Sequence, residues 1–459
     1  MGKLLAGAAK RCITPPKDIF DRVNAESDKY NYDGIAGDVY VRVIVLSDGQ
    51  RKVPIIVCDL SVLPVAYPMT LQLQEKYGID PVDCVIGSTR NHNGFTIRAA
   101  QDRNTFDNIG EGMAEYARFV HKKTIECVGE AIERLVPARI GAKVGQSGIN
   151  CYRDTKTPVG TLEQPNHSGP RYTDLTVIRV EDLDGNTLAI LANYAMHSFF
   201  LAHNQFNGTY NYFCADFAGE VNRFVEKVGR EQYPVMWASG GCCDQVPTVH
   251  SNVQYCKVND NGEFEYVYEV LPIEGSLMLM RQLVSEHSLD IIKTAESIDN
   301  YSEEFSVFSA ETFRDVPSRV QFTKYAAPRQ MPGETVEIRP LETPLPFRFR
   351  LTVINGIAFA CSNGEVYSSV CKKVKKIISA PITAMFDLSF GSITSVPDAE
   401  TEAEGMLGRG YWGCSCVTAK AGEDAYIEAF MELNRKYEDY LRESGHDVAK
   451  ERMVWHSSE

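Results

Sequence analysis

Four loops that follow apolar, strand-like runs carry residues able to do acid–base or metal chemistry. Asn91, His92, Asn93 and Gly94 follow DCVIGST (83–89), and His197 closes LAILANYAMHS (188–198). Asp244 follows PVMWASGG (234–241) through Cys242 and Cys243, and Glu365 follows INGIAFACSNG (354–364). Histidine titrates near neutral pH and offers an imidazole lone pair to a metal. A nearby carboxylate can orient that imidazole or bind the same ion. Each residue also has a structural reading. Asp244 can cap or turn the chain, and Glu365 opens a helix, where the dipole favours a carboxylate unaided. His197 fits a satisfied core histidine. His92 lies between asparagines that would make the better loop caps, which favours function. Four strand ends, each with a histidine or carboxylate, point to one shared site, because ligands in open α/β sheets collect beyond the carboxyl ends of strands.

Further residues could line such a site. Arg153 lies in INCYRD (149–154), and His167, Ser168 and Arg171 lie in QPNHSGPRY (164–172), a loop that could close over a site with Arg171 as an anion clamp. Tyr411 sits in the glycine-rich GRGYWG (408–413), and His203 could stand in for His197. Tyr194 reads as core. No Gly-x-Ser-x-Gly elbow, dinucleotide fingerprint or phosphate loop is present, so serine-hydrolase and nucleotide readings lack support.

The elements that must position these residues alternate. VYVRVIVLSD (39–48) and VPIIVCDL (53–60) flank an Asp48-Gly49 turn and read as a hairpin. Residues 66–78 and 112–136 have helical spacing of apolar positions. LTVIRVED (175–182) and the run at 188–198 read as strands, 216–229 and 273–295 as helices, and 234–241 as a strand stopped by two glycines. A hairpin and buried strand at 354–365 precede helices at 366–378 and 423–443. The expected class is α/β, with mixed sheets layered with helices, in one large domain over 1–459. The strand-like, proline-rich stretch 300–350 is a candidate excursion or lid.

With 459 residues, 44% of them hydrophobic and 24% charged, the chain can bury a core without staples. Its net charge of -14 repels polyanions, so nucleic acid and anionic membrane surfaces are not expected partners. MGKLLAGAAKRCITPP lacks the apolar stretch of about 7–15 residues that a signal peptide needs, and a cytoplasmic location is expected. The thirteen cysteines then behave as small apolar residues. The close pairs Cys242/Cys243 and Cys414/Cys416 lack the two-plus-two spacing of a structural zinc site.

The same segments, in the same order, resemble the catalytic N-terminal domain of the neutral/alkaline (non-lysosomal) ceramidase family. AGAAKRCITPP (6–16) is similar to its opening strand-turn, and IAGDVYVRVIVLSDG (35–49) and VPIIVCDLSVL (53–63) look like its next two strands. IGSTRNHNG (86–94) takes the place of the Thr-His-Thr-His-Ser-Gly signature, and NYAMHS (193–198) that of the second histidine segment. ADFAGE (215–220), SGGCCDQVP (239–247), CSNGE (361–365) and GRGYWG (408–413) follow in register. The resemblance implies a zinc amidase that cleaves the N-acyl bond of ceramide, with metal on two histidines, a glutamate and a tyrosine. His197 and Glu365 match two of these ligands. The first signature histidine is Arg90 here, with only its partner His92 kept, and FGSITS (390–395) puts Ser392 at the tyrosine position.

Arginine stays protonated and has no lone pair for a metal. Two arrangements are open. His92 completes a His92, His197, Glu365 set for zinc or another divalent metal, or the Arg90 guanidinium takes the metal's place and pairs with Glu365, a fixed charge that polarises a carbonyl. The expected activity is a hydrolase on an amide, ester or lactone carbonyl of a small polar metabolite, a carboxylate given the arginines. Arg90, His92, Asp244, Arg153 and Tyr411 would be catalytic, and Asn91, His167, Arg171 and Ser392 would bind substrate. A lyase or isomerase abstracting a proton beside a carbonyl, or a ligand-binding relic, is the alternative. Members of the family carry a further C-terminal domain that this length leaves no room for, so ceramide itself is not expected as the substrate. A homo-oligomer is compatible with the sequence.

Overall fold

β-Branched and apolar runs of five to eleven residues build two sheets, and amphipathic helices cover them. The computed structural model describes residues 2–26, 31–64, 66–96, 110–157, 160–201, 211–322, 337–340, 342–403 and 417–445. The larger sheet has nine strands. In spatial order eight of them are Val235–Ser239, Thr187–Tyr194, Asp174–Asp182, Val136–Gln146, Leu5–Cys12, Tyr40–Ser47, Lys52–Cys58 and Val85–Ser88, with Tyr301–Ser302 pairing beside Val136–Gln146. Its interior pairs are antiparallel and its two outer pairs are parallel. Ile55 faces Val85 at one edge, and Ile190 faces Val235 at the other. The two parallel edge pairs run in opposite directions, and Val235–Ser239 packs against Lys52–Cys58 and Val85–Ser88, which brings the two edges together.

The smaller sheet runs Val307–Val316, Leu345–Ile354, Ile357–Ser362, Ile382–Phe386, again with a parallel last pair. Asn355 and Gly356, with φ of 51° and 79°, make the two-residue hairpin turn between its middle strands. Ile382–Phe386 packs on Val85–Ser88, Thr187–Tyr194 and Val235–Ser239. That contact depends on Gly87, where a Cβ would stand 2.5 Å from the Phe386 ring. Asn193 clamps the two sheets together: its amide donates to Met385 O at 2.8 Å and its carbonyl accepts from Met385 N at 3.0 Å.

Helix Glu111–Glu133 covers Leu5–Cys12 and Tyr40–Ser47. Helices Asp216–Val228 and Ile273–Glu296 pack together at the Val235–Ser239 edge, and Ala419–Glu443 lies on the smaller sheet beside Ser368–Ile377. No described helix is long and apolar enough to cross a membrane. The stretch 300–350, expected as an excursion or lid, contributes two strands to the smaller sheet. Val307–Val316 and Leu345–Ile354 are the first two strands of the smaller sheet, and Phe347, Phe349 and Leu351 are core. The polar positions between them, Arg350 and Thr352, are buried as well, so both faces of this strand are covered.

Candidate active site

The parallel pairs bring five strand ends to one place. Val85–Ser88 leads to Arg90, Thr187–Tyr194 to His197, Val235–Ser239 to Cys242, Ile357–Ser362 to Glu365, and Ile382–Phe386 to Asp387. All five side chains are buried. Arg90 holds φ of 57°, an uncommon backbone for a long side chain and a form of strain often found at functional sites. Its Nη2 donates to Glu365 Oε2 and its Nη1 to Ser61 Oγ, each at 2.5 Å. The other carboxylate oxygen, Oε1, stands 2.9 Å from His197 Nε2, and Ser395 Oγ donates to Oε2 at 3.4 Å.

The His197 ring is oriented from behind. Nδ1 lies 2.8 Å from the carbonyl of Cys242. A carbonyl only accepts, so Nδ1 carries the ring proton of a neutral imidazole and Nε2 presents its lone pair to Glu365. Burial, with the Arg153 charge, lowers the His197 pKa to about 4 even against Glu365, so the ring is neutral at pH 7. Burial alone would raise Glu365, but the Arg90 guanidinium, with Arg153 beyond it, holds it well below the usual carboxylate range. Two lone pairs 2.9 Å apart, one on an anion, form a place for a cation.

Cys242 and Asp387 complete the neighbourhood, with Cys242 Sγ donating to Asp387 Oδ2 at 3.7 Å. Burial, with Asp387 and Glu365 nearby, pushes the thiol well up, and burial beside Glu365 does the same to Asp387. Among the described residues, the ligand atoms of His197, Cys242 and Glu365 all lie within 4.8 Å of one another. Around them, the Phe199 ring sits 5.1 Å from His92, 5.4 Å from His197 and 5.6 Å from His250, centroid to centroid. Arg153 reaches the site because its strand, Asn150–Thr157, pairs with Gln245–Pro247, and its N donates to Asp244 O at 3.0 Å.

The sequence expectations divide accordingly. Arg90, His197, Glu365 and Arg153 come together. His92 is adjacent, its ring centroid 5.5 Å from that of His197, but the convergent donor group takes Cys242 in its place. Asp244 does not meet a histidine. Its carboxylate accepts from Ser368 N at 2.6 Å, Ser368 Oγ at 2.7 Å and Gln245 Nε2 at 3.0 Å, pinning the start of helix Ser368–Ile377. Asn91 braces its loop. Its amide donates to Asp59 O and Cys214 O, and its Oδ1 accepts from Asn93 N. The Arg171 guanidinium donates to the carbonyls of Asn150 and Gly148. His167 is exposed on a turn. Ser392 is half-buried, and the serine that reaches Glu365 is Ser395. Tyr411, His203 and the pair Cys414/Cys416 lie outside the described residues.

Cys242, Asp387, Ser61 and His250 were not anticipated. Asp387 follows the strand-like run PITAMF, so the strand-end rule that picked Glu365 also reaches it. Cys242 was masked by the expectation that buried thiols are inert, although it lies in the same loop as Asp244.

No family model and no curated protein matches the chain. Solved structures do, two ceramidases among them. The neutral ceramidase from Pseudomonas aeruginosa superposes with a TM-score of 0.67 at 13% identity, over 95% of this chain and 75% of that one. A ceramidase complexed with C2 gives 0.70 at 11% identity, over 95% and 76%. The fold is that of the neutral ceramidases, and the sequence has diverged far within it.

Proposed function

We propose that this chain is a hydrolase that attacks the carbonyl carbon of an amide, ester or lactone in a small, carboxylate-bearing metabolite. The observation that carries the reading is the approach of His197 Nε2 to Glu365 Oε1 at 2.9 Å, with the ring locked by the Cys242 carbonyl and two buried guanidiniums, Arg90 and Arg153, alongside. Its likeness in fold to neutral ceramidases supports the reaction class. A neutral imidazole and an ionised carboxylate fit a divalent metal such as zinc, and a carbonyl behind the imidazole is the usual outer support. His197 and Glu365 would hold it, and when bound the ion would polarise the carbonyl and acidify a water.

The chain's own groups do the rest. Arg90 keeps Glu365 ionised and fixed in orientation, and Ser61 fixes Arg90. Arg153 supplies positive charge for a substrate carboxylate or a developing oxyanion. His92, beside the His197 ring, moves the proton from the attacking water to the leaving group. Asp244 positions Arg153 and the helix that follows Glu365.

One observation favours a second reading. Arg90 stands 2.5 Å from Glu365, which suits a metal-free site where the guanidinium is the electrophile. Such a site would abstract a proton beside a carbonyl, as a lyase or isomerase does. Elemental analysis of freshly purified protein and of His197→Ala, with a turnover screen on N-acyl amino acids, lactones and hydroxy acids, separates the two. About one metal per chain, absent from the variant, with hydrolysis of an acyl substrate, supports the first. A metal-free protein that eliminates or isomerises hydroxy acids overturns it.

A further inference from the structure

We infer that Cys242 is itself a metal ligand, giving a mixed thiolate, imidazole and carboxylate site on Cys242, His197 and Glu365 that takes zinc or cobalt in preference to magnesium or calcium. The inference rests on the metal-bound reading above and adds to it the identity of the third donor.

Three observations carry it. The sulfur belongs to the only group of three metal-capable side chains that converges among the described residues, with all donor atoms within 4.8 Å and all three residues buried. The loop bearing it is rigidly placed. A Cβ on Gly241 would stand 1.9 Å from Cys371 Sγ, so the chain runs tight against helix Ser368–Ile377 just before Cys242 turns inward. Cys242 also orients its neighbour, since its carbonyl holds His197 Nδ1 at 2.8 Å and so aims Nε2 at the same point as its own sulfur. One residue therefore fixes one ligand through its backbone and offers a second through its side chain. Cys243, next in sequence, lies instead in the apolar cluster with Val366, Tyr367 and Val370.

A thiolate narrows the choice of ion. Soft sulfur suits zinc and its spectroscopic substitute cobalt, while magnesium and calcium take oxygen donors. Binding replaces the thiol proton by the metal: R–SH and M2+ give R–S–M+ and H+, the proton passing to solvent buffer. Without metal, the thiol donates this proton to Asp387 Oδ2 at 3.7 Å.

Cobalt(II) added to the metal-stripped full-length protein tests this directly. The expected result is one cobalt per chain, with a near-ultraviolet sulfur-to-cobalt charge-transfer band besides the visible d–d bands. The ultraviolet band is lost in Cys242→Ser and kept in Cys243→Ser, and cobalt affinity falls about 100-fold or more in Cys242→Ser, at least the upper end of what outer supports contribute. If Cys242→Ser does not fold, X-ray absorption on wild-type protein loaded with zinc reads the same point, as a sulfur shell at about 2.3 Å. Cobalt that binds, depends on His197, and shows neither the band nor the sulfur shell overturns the inference and leaves the metal reading standing. No cobalt binding at all overturns both.

Discussion

Two buried histidines bond to strand Val235–Ser239 or the loop that follows it and have opposite character. His287, on helix Ile273–Glu296, accepts from Trp237 Nε1 at Nε2 and meets Ser147 Oγ at Nδ1, both at 2.8 Å. Indole is donor-only, so Nε2 is the lone pair and Nδ1 carries the proton. The neutral ring has both nitrogens satisfied and packs in tilted and edge-on contacts with Tyr194, Phe217 and Trp237. His197, held by the loop that follows Trp237, has its Nδ1 satisfied in the same way, but its Nε2 faces another acceptor, Glu365 Oε1. Burial holds both rings neutral, the pKa falling to about 3 for His287 and about 4 for His197. Depth and a depressed pKa do not separate structure from chemistry here. The polarity of the second partner does.

The widest separation expected between them is in turnover. His197→Ala should lower kcat/KM on any substrate found by about 1,000-fold or more and remove the bound metal. His287→Ala should retain both in the folded protein, while losing about 3 kcal/mol of stability to the cavity and the stranded Trp237 N–H. Paired steady-state kinetics and denaturant melts read both, and a His287→Ala enzyme that is stable but inactive would collapse the distinction.

Arg90→Met sharpens it from the other side. Leaving Glu365 a buried, less compensated anion should cost about 3–5 kcal/mol. The double variant Arg90→Met/Glu365→Gln should recover part of that stability without recovering activity. Full recovery of activity would mean that Arg90 only balances charge.

Acidification should act through both rings with the same sign. An unfolded histidine takes up a proton near pH 6.5, whereas the folded rings resist until about pH 4 for His197 and about pH 3 for His287. The stability they contribute is complete above pH 6.5 and is lost as pH falls through those values. The His197 share is about 3 kcal/mol. Chemical denaturation at a series of pH values in wild type and His287→Gln should show a shallower slope below pH 6.5 in the variant. An unchanged slope would place the acid sensitivity elsewhere.

The smallest effect is expected for Ser61→Ala, which removes one hydrogen bond from Arg90 and leaves the ion pair in place. About 1–2 kcal/mol, or a five- to thirtyfold loss in kcat/KM, should appear with little change in KM. A rise in KM alone would assign Arg90 to ground-state binding.

Much of the architecture was legible because periodicity is local. The Asp48-Gly49 hairpin, the Asn355-Gly356 turn and helices 216–228 and 273–296 follow from turn chemistry and apolar spacing within short windows. His197, Glu365 and Arg90 were reached through strand ends and the ordered resemblance. Asp244 and Asn91 show what a local pattern leaves out: a carboxylate or amide in a polar loop reads the same whether it braces backbone or meets substrate. Only the position of Ser368 or of Cys214 O decides between them, and these partners lie 124 and 123 residues away.

The sequence by itself determined the α/β class and the strand ends that carry histidine, arginine and carboxylate side chains. Those properties depend on residue type and on neighbours within a turn or a strand. Tertiary structure alone decided that Arg90 meets Glu365 across 275 residues, and that Cys242 rather than His92 joins His197 in the donor group. Directional contacts of 2.5–2.9 Å are set by how two sheets seat against each other, here on Gly87 and Phe386, and no local pattern encodes that distance.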